Sequence, residues 1–233
     1  GYKEISVNTV TVPFQLKKMK DTYLLVWTTT PWTLIANVAA CVNPHEEYVK
    51  CKVDDKFYIV AKKLDKSVLG EDFSVVETYL GSDLENLEYE QYLPILSVNK
   101  RAFYVTTADY VTMDSGTGIV HIAPAFGQDD YEVGLRYNLP VLNPVDENGC
   151  YTDGPFKGRL VVDSELEIEI IKYLASQDKI FKKQKMVHNY PHCWRCKTPL
   201  IYYSKPSLYI KTTAYKDKII EEYADGIHFI TSI

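Results

Sequence analysis

The 233-residue sequence predicts a strand-rich α/β domain with a few helices. Short apolar and β-branched runs, bounded by turn residues, dominate the first 110 positions and are typical of strands. Helical periodicity is clear in only two later segments. No internal repeat or linker-like stretch divides the chain, which favours a single domain.

The strand predictions come from apolar runs that end at turn residues. Two of these runs flank Asp54–Asp55, and this spacing is typical of a hairpin. The predicted strands are Thr9–Leu16, Thr22–Thr30, Tyr48–Val53, Lys56–Ala61, Phe73–Tyr79, Ala102–Thr106 and Gly118–Ile122.

Two helices are predicted in the second half of the chain. The first begins around Gln128 and ends at Asn138, just before Pro140. The second is predicted to begin with a capping box formed by Ser164 and Glu167. Its apolar face consists of Leu166, Ile170, Tyr173 and Leu174.

Composition and charge exclude several classes of protein. With 46% hydrophobic residues the chain is not natively disordered, and no apolar run approaches the roughly 18 residues of a membrane-spanning helix. The net charge of −5 argues against an autonomous nucleic-acid-binding protein. Residues 174–233, however, hold 10 basic and 5 acidic side chains. The N-terminus has neither Met nor a leader-like segment, which favours a segment excised from a longer protein.

Five cysteines, an odd number in a long chain, favour reduced thiols and a cytoplasmic location. Cys193 and Cys196 form a Cys-x-x-Cys pair, which supplies two of the four ligands of a structural zinc. A half-site completed by residues outside this chain stays open, but a metal-free turn is favoured. No metal ligand is therefore assigned, and no cofactor is expected in this domain.

A hydroxyl cluster follows the second predicted strand. Thr28, Thr29 and Thr30 lie where the strand reaches Pro31, which pushes the preceding residue away from helical geometry. Hydroxyls at such a corner can point into a cleft and hold water or a carbonyl group. Threonine is also an ordinary strand residue, so a structural role is the competing interpretation. Asn37 adds an amide nearby.

A second set of polar residues lies in the segment 116–131. Its glycine turn leads into a short apolar strand that carries His121, and a loop then leads into a helix that opens with Asp129 and Asp130. Such a histidine is usually a satisfied core residue, and acids at a helix start usually interact with the helix dipole. The alternative is that imidazole and carboxylate converge on one pocket, where they orient water and bind an amine.

Three motifs together resemble the editing domain of isoleucyl-tRNA synthetases. They are Thr-Thr-Thr-Pro-Trp-Thr-Leu at 28–34 with Asn37, the segment 116–131, and Tyr-Pro-His-Cys-Trp-Arg-Cys-Lys-Thr-Pro-Leu at 190–200. They occur in the order of that family and span most of the chain. The valyl and leucyl relatives typically have Thr-Arg-Pro-Glu-Thr at the first motif. The ATP-binding signatures of the synthetic site are absent, so this segment is not expected to charge tRNA.

The resemblance implies a barrel-like mixed sheet with peripheral helices, as in class I synthetase editing domains. Residues 1–233 would form a single editing domain, with a core at about 9–185 and a segment 186–233 that returns toward the synthetic body. The implied activity is hydrolysis of valine mis-attached to tRNA(Ile), and of valyl-adenylate. The implied partners are the acceptor end of that tRNA and the remainder of the synthetase, and the default expectation is a monomer.

The resemblance also implies a role for each candidate residue. Water attacks the ester directly, because no Ser or Cys lies beside a credible histidine base. His121 limits the side-chain pocket, and Asp130 pairs with the substrate ammonium group. The hydroxyls of Thr28, Thr29 and Thr30 hydrogen-bond the substrate carbonyl, the ribose or the water. Trp27 and Phe126 form walls of the pocket, and Asn37 supports it.

Two other classes of function are compatible with the sequence. One is a zinc-ribbon-like interaction module centred on Cys193 and Cys196, with the upstream residues as its scaffold. The other is an insertion that positions tRNA but does not hydrolyse the ester.

Overall fold

Apolar runs along the chain fold into a nine-stranded mixed sheet in the computed structural model, which describes residues 1–208 and 210–222. The strand order is β6-β4-β5-β2-β8-β3-β7, with β1 paired to β2 and to β9. The strands are β1 Tyr2–Gln15, β2 Thr22–Thr28, β3 Ala39–Val42, β4 Glu47–Val53, β5 Lys56–Ala61, β6 Ser74–Leu80, β7 Tyr104–Thr107, β8 Ile119–Ile122 and β9 Lys182–Pro191.

The sheet combines parallel and antiparallel strand pairs. β2 runs parallel to both β5 and β8, and β3 runs parallel to β7, whereas the other pairs are antiparallel. The α-helices lie outside the sheet; those for which both ends are described are α1 Asp65–Leu69, α2 Gln128–Arg136 and α3 Ser164–Ala175. Residues 216–222 are also helical. The prediction of a strand-rich α/β domain with a barrel-like mixed sheet and peripheral helices is therefore confirmed.

The predicted strands are all present, but some of their ends differ from the prediction, and two further strands, β3 and β9, were not predicted. β1 begins at Tyr2, not at Thr9, because its first half pairs with β9 from Tyr2 opposite Pro191 to Thr11 opposite Lys182. β9 was not predicted, since its lysine-rich sequence lacks an apolar face. The short strand β3 was also missed. β4 and β5 form the predicted hairpin, with Val53 opposite Lys56.

The expected boundary between core and return segment, near residue 185, falls inside β9. Residues 186–191 therefore continue the same ladder as residues 182–185. The remainder of the expected return segment is described as far as 222 without 209, and 223–233 lie outside the described residues.

Helix α3 begins differently from the prediction. Its N-cap is Asp163, whose carboxylate accepts the Glu165 N–H at 2.9 Å, so Ser164 is the first helical residue and the predicted capping box is wrong. The Glu167 carboxylate instead accepts the backbone N–H of Asn8 at 3.1 Å. The Glu167 side chain, which the local pattern assigned to the cap, is thus engaged in a tertiary contact instead.

The main core lies between one face of the sheet and helix α3. Alternate residues of β1, namely Val10, Val12 and Phe14, are fully buried in it. A 3₁₀ helix at Pro31–Ala36 is buried along its whole length and packs against α3. This packing fixes the segment that directly follows the threonine cluster. In the part of the chain that the structure describes, no helix is long and apolar enough to cross a membrane.

Candidate active site

The threonine-rich segment forms a tight corner at the end of β2. The strand ends at Thr28, and its hydroxyl accepts the backbone N–H of Thr30 at 3.1 Å. Pro31 then begins the 3₁₀ helix, where a missing N–H costs nothing. Thr33 closes the turn, since its hydroxyl donates to the Thr30 carbonyl at 2.8 Å. The corner therefore gathers hydroxyls that an extended strand would place on opposite faces.

A chain of polar contacts runs from this corner to β8. The hydroxyls of Thr28 and Thr30 are 3.3 Å apart, and those of Thr30 and Thr33 are 3.2 Å apart. The Thr33 hydroxyl lies 2.9 Å from Nε2 of His121. Two stretches separated by 88 positions thus meet at one hydrogen bond. Thr33 was absent from the predicted site; its spacing of three residues from Thr30, just after a proline, was the available signal.

His121 is buried, and only one of its two ring nitrogens has a hydrogen-bond partner among the described residues. Its relative exposure is 8%, and its Nδ1 atom has no hydrogen-bond partner among the described residues. Burial lowers the pKa of His121 to about 4, so the imidazole is neutral at pH 7. The single proton of the Thr33 hydroxyl is used on the Thr30 carbonyl, so Nε2–H of His121 donates to Thr33. Nδ1 then presents a free, buried acceptor.

Asp130 lies in the first turn of α2 and is anchored to the strand that carries His121. Its Oδ2 accepts the backbone N–H of Ala123 at 2.9 Å, two residues beyond the imidazole. Gly127 makes room for it, because a Cβ there would lie 2.9 Å from the Asp130 carboxyl carbon.

Burial also sets the charge state of this carboxyl group. Desolvation raises the pKa of Asp130 to about 6, although the Ala123 hydrogen bond lowers it, and neighbouring Asp129 adds to the rise. Across the described ranges, no basic side chain forms an ion pair with Asp130. At pH 7 the site therefore holds a partly buried, ionised carboxylate that lacks a cation.

Aromatic packing joins the same two segments a second time. The ring of Trp32, in the 3₁₀ helix, meets Phe126 edge-on with centroids 5.0 Å apart. Both rings are buried. Phe126, which the sequence assigned to a pocket wall, thus packs on the residue that follows the threonine corner.

Trp27 is not brought to this cluster. It lies directly opposite Val120 on the neighbouring strand, so it faces the other side of the sheet from Thr28 and His121. Its indole covers Gly116, where a Cβ would lie 2.7 Å from the ring. There it lines a separate cavity of about 120 Å³.

Asn37 is buried and uses both polar ends of its amide within the fold. Its Nδ2 donates to the Ala39 carbonyl at 2.8 Å, and its Oδ1 accepts the hydroxyl proton of Tyr89 at 2.8 Å. These bonds hold the chain between the 3₁₀ helix and β3. The amide therefore supports the backbone of the site from behind.

The Cys-x-x-Cys pair forms an exposed turn away from the buried cluster. Cys193 is half-buried and Cys196 is exposed. Hydrogen bonds from the Thr198 hydroxyl and backbone N–H and from Cys193 lower the pKa of Cys196 to about 7. The Cys196 sulfur lies 3.0 Å from the Thr198 hydroxyl. The described residues contain no group of three or more His, Cys, Asp or Glu side chains that could hold a metal ion.

Solved structures share this fold at low sequence identity. The crystal structure of GlLeuRS-CP1 superposes with a TM-score of 0.61 at 16% identity, covering 87% of this chain and 100% of that one. The cytosolic leucyl-tRNA synthetase editing domain of P. falciparum also gives 0.61, at 11% identity, covering 75% and 98% respectively. The chain therefore has the fold of an aminoacyl-tRNA synthetase editing domain.

Curated sequences narrow the relationship further. The chain is 47% identical over 223 residues to an isoleucine–tRNA ligase of Bacillus thuringiensis (strain Al Hakam), and 42% identical to that of Clostridium novyi (strain NT). Each alignment covers 95% of this chain and 21% of the relative, so the chain spans about a fifth of their length. No protein-family model matches. The chain is homologous to the isoleucine–tRNA ligases, which confirms the resemblance drawn from the three motifs.

Proposed function

We propose that this domain hydrolyses valine mis-attached to the acceptor end of tRNA(Ile), and valyl-adenylate as well. The observation that carries the proposal is the hydrogen bond between Thr33 and His121, which joins the threonine corner to β8. Two residues along, the same segment anchors Asp130 through Ala123. Hydroxyls, a neutral imidazole and an unpaired carboxylate are thereby held by one connected set of contacts.

The chemistry of the amino acids explains why such a site is needed. Isoleucine and valine differ by one methylene, for which a binding pocket can discriminate by only about 1–3 kcal/mol; this pair is the usual example of that limit. A synthetic site therefore attaches valine too often. A second pocket that admits valine, excludes isoleucine by its size and hydrolyses what enters removes the error.

Asp130 binds the α-ammonium group of the esterified amino acid in this proposal. With a pKa of about 6, the carboxyl group is ionised at pH 7. Its partial burial strengthens attraction to a cation, because charges interact more strongly away from water. The substrate ammonium group supplies the positive charge that no described basic side chain provides to Asp130.

The His121 imidazole limits the pocket for the aliphatic side chain. It cannot swing away freely, because Nε2–H is bonded to Thr33 and the residue lies in the middle of a paired strand. Valine fits beside this fixed ring, whereas the extra methylene of isoleucine collides with it. The rigidity that excludes the larger amino acid thus comes from the Thr33 hydrogen bond.

Hydrolysis proceeds by direct attack of water, without a covalent intermediate. An aminoacyl ester beside its own ammonium group is already reactive, so positioning a water and stabilising the oxyanion suffice. Thr29 is half-buried and its hydroxyl makes no hydrogen bond with any described residue, so it is free to hold that water or the substrate carbonyl. Thr28 and Thr30 present further hydroxyls beside it.

The wider setting follows from the same proposal. The domain acts as a monomeric unit within a larger cytoplasmic synthetase chain, and its nucleic-acid partner is the acceptor end of tRNA(Ile). None of the steps above uses a metal or another cofactor. Zinc at Cys193 and Cys196 would need two further ligands from outside the described residues.

The decisive experiment compares deacylation of valyl-tRNA(Ile) by the chain and by two neighbouring variants. Asp130→Ala is expected to lower kcat/KM at least 100-fold, since the substrate ammonium loses its counter-charge. Asp129→Ala is the matched control, because Asp129 lies next to it and does not hold Ala123; its rate should stay within about 2-fold.

Two outcomes would contradict the proposal. Unchanged deacylation in Asp130→Ala would remove Asp130 from the mechanism. A chain that leaves both valyl- and isoleucyl-tRNA(Ile) intact would instead be an insertion that only positions tRNA.

A further inference from the structure

A groove of about 800 Å³ lies directly beside the anchored carboxylate. Gly127, where an added Cβ would lie 2.9 Å from the Asp130 carboxyl carbon, forms part of its wall. Residues 202–207 form the opposite wall and are held there, because the Ser204 N–H donates to the Ala125 carbonyl at 2.9 Å. The Tyr203 hydroxyl also donates to the Val145 carbonyl at 3.0 Å. The groove is therefore a built feature that adjoins the first turn of α2, the turn that carries Asp130.

Each wall presents an exposed tyrosine to this groove. Tyr131 follows Asp130 on α2 and is 43% exposed, and Tyr202 on the opposite wall is 56% exposed. Neither ring is needed for the core. Proteins that bind unpaired nucleotides commonly stack the bases on aromatic side chains along a groove.

The charges at the groove indicate how a nucleic acid would be held. The wall residues 202–207 belong to a longer stretch, 179–216, that includes nine basic residues and no acidic one. Lys205 is the one basic side chain among the described residues of the lining, and it is paired with Glu147 at 2.8 Å. Asp129 lies close to Tyr202. Phosphate attraction at the groove is therefore weak, and stacking must supply most of the affinity.

We propose that this groove binds the unpaired nucleotides that precede the esterified terminal adenosine, with their bases stacked on Tyr131 and Tyr202. This inference rests on the proposed function, since it takes the reacting ester to lie at Asp130. It adds a binding site separate from the pocket that measures the amino acid. Lys205 contacts a single phosphate, so binding depends only weakly on salt.

The test uses two substrates that differ only in these nucleotides. One is valyl-adenosine, which is too short to reach the groove, and the other is the valyl ester of the trinucleotide cytidine–cytidine–adenosine. Tyr131→Ala and Tyr202→Ala should each raise KM for the trinucleotide ester about 5- to 10-fold, with kcat within about 2-fold. Both should leave valyl-adenosine hydrolysis unchanged. Trp194→Ala is the control, since Trp194 is 70% exposed in the same basic stretch but does not line the groove.

Binding of the unacylated trinucleotide, followed by fluorescence anisotropy, provides a readout that does not require hydrolysis. Equal KM changes for both substrates, or no change for the trinucleotide, would overturn the groove proposal while leaving hydrolysis established. If the unaltered chain hydrolyses neither ester but binds the trinucleotide less tightly in both tyrosine variants, the groove stands and the proposed function fails.

Discussion

Asn37 and His121 are both buried polar residues beside β3, yet their surroundings differ. Asn37 precedes β3, and His121 lies opposite Ala40 on the paired strand. The Asn37 amide bonds to Ala39 on one side and to Tyr89 on the other. The imidazole has one partner, Thr33, and leaves Nδ1 without any among the described residues.

This difference separates a structural polar group from a functional one. A buried polar atom without a partner costs free energy, so it persists in a fold only where something else requires it. Both polar atoms of the Asn37 amide are bonded within the fold, where they hold the chain between the 3₁₀ helix and β3. The Nδ1 atom of His121 is an acceptor without a partner among the described residues. The ionised Asp130 is hydrogen-bonded to Ala123, two residues further along the chain from His121.

Titration of the two buried ionisable groups, His121 and Asp130, gives the largest expected effect. The pKa of His121 falls to about 4 in the fold, so its stabilising contribution is complete above its ordinary pKa near 6.5 and is lost as pH falls toward 4. The pKa of Asp130 rises to about 6, so its contribution is complete below pH 3.8 and is lost as pH rises toward 6. Each amounts to about 3 kcal/mol, and the two have opposite signs.

Because the two effects cancel in the unaltered chain, the pH dependence of the free energy of unfolding should become visible when either His121 or Asp130 is replaced. In urea unfolding, Asp130→Asn should lose about 3 kcal/mol more than the unaltered chain between pH 6.5 and 4, because only the His121 term remains. His121→Gln should show the reverse trend, with stability falling as pH rises from 4 to 6. Stability curves that run parallel for all three proteins would show that the two groups are not buried as described.

Asn37→Ala should lower the free energy of unfolding by about 2–3 kcal/mol, because it leaves the fully buried Tyr89 hydroxyl without a partner. Adding Tyr89→Phe should recover part of that loss, since the orphaned hydroxyl is then removed. Urea unfolding of both single variants and the double variant measures the coupling. Additive losses would contradict the closed amide network.

His121→Ala should sharpen the contrast between the structural Asn37 and the functional His121, since it acts on substrate specificity more than on stability. Removing the ring enlarges the pocket, so hydrolysis of correctly charged isoleucyl-tRNA(Ile) should rise about 10-fold. Single-turnover deacylation of the valyl and isoleucyl esters, side by side, measures the change. If the variant still spares the isoleucyl ester, the wall of the side-chain pocket lies elsewhere.

Thr33→Val should have the smallest effect, because it removes only the hydrogen bond that orients the imidazole. Hydrolysis of the isoleucyl ester should rise about 3-fold, with little change for the valyl ester. Thr33→Ser, which keeps the hydroxyl, is the matched control and should restore discrimination. Identical behaviour of the valine and serine variants would mean that packing alone positions His121.

Much of the fold was predictable because its strands are apolar runs with local turn signals. The β4–β5 hairpin and helix α2 lie close to their predicted bounds. β9 escaped prediction because lysine-rich backbone became a strand only through pairing with β1. The cap of α3 was misassigned for a related reason, since Glu167 is engaged by Asn8 from a distant strand.

The sequence by itself determined which chemical groups the domain carries, because hydroxyls, imidazole and carboxylate lie in short motifs that one segment of chain defines. Only the tertiary structure decided which of them meet. It placed Thr33 against His121, turned Trp27 to the opposite face of the sheet and enclosed Asn37 in the fold. The physical reason is that facing and burial depend on strand register and on distant partners, and neither is encoded within the motif itself.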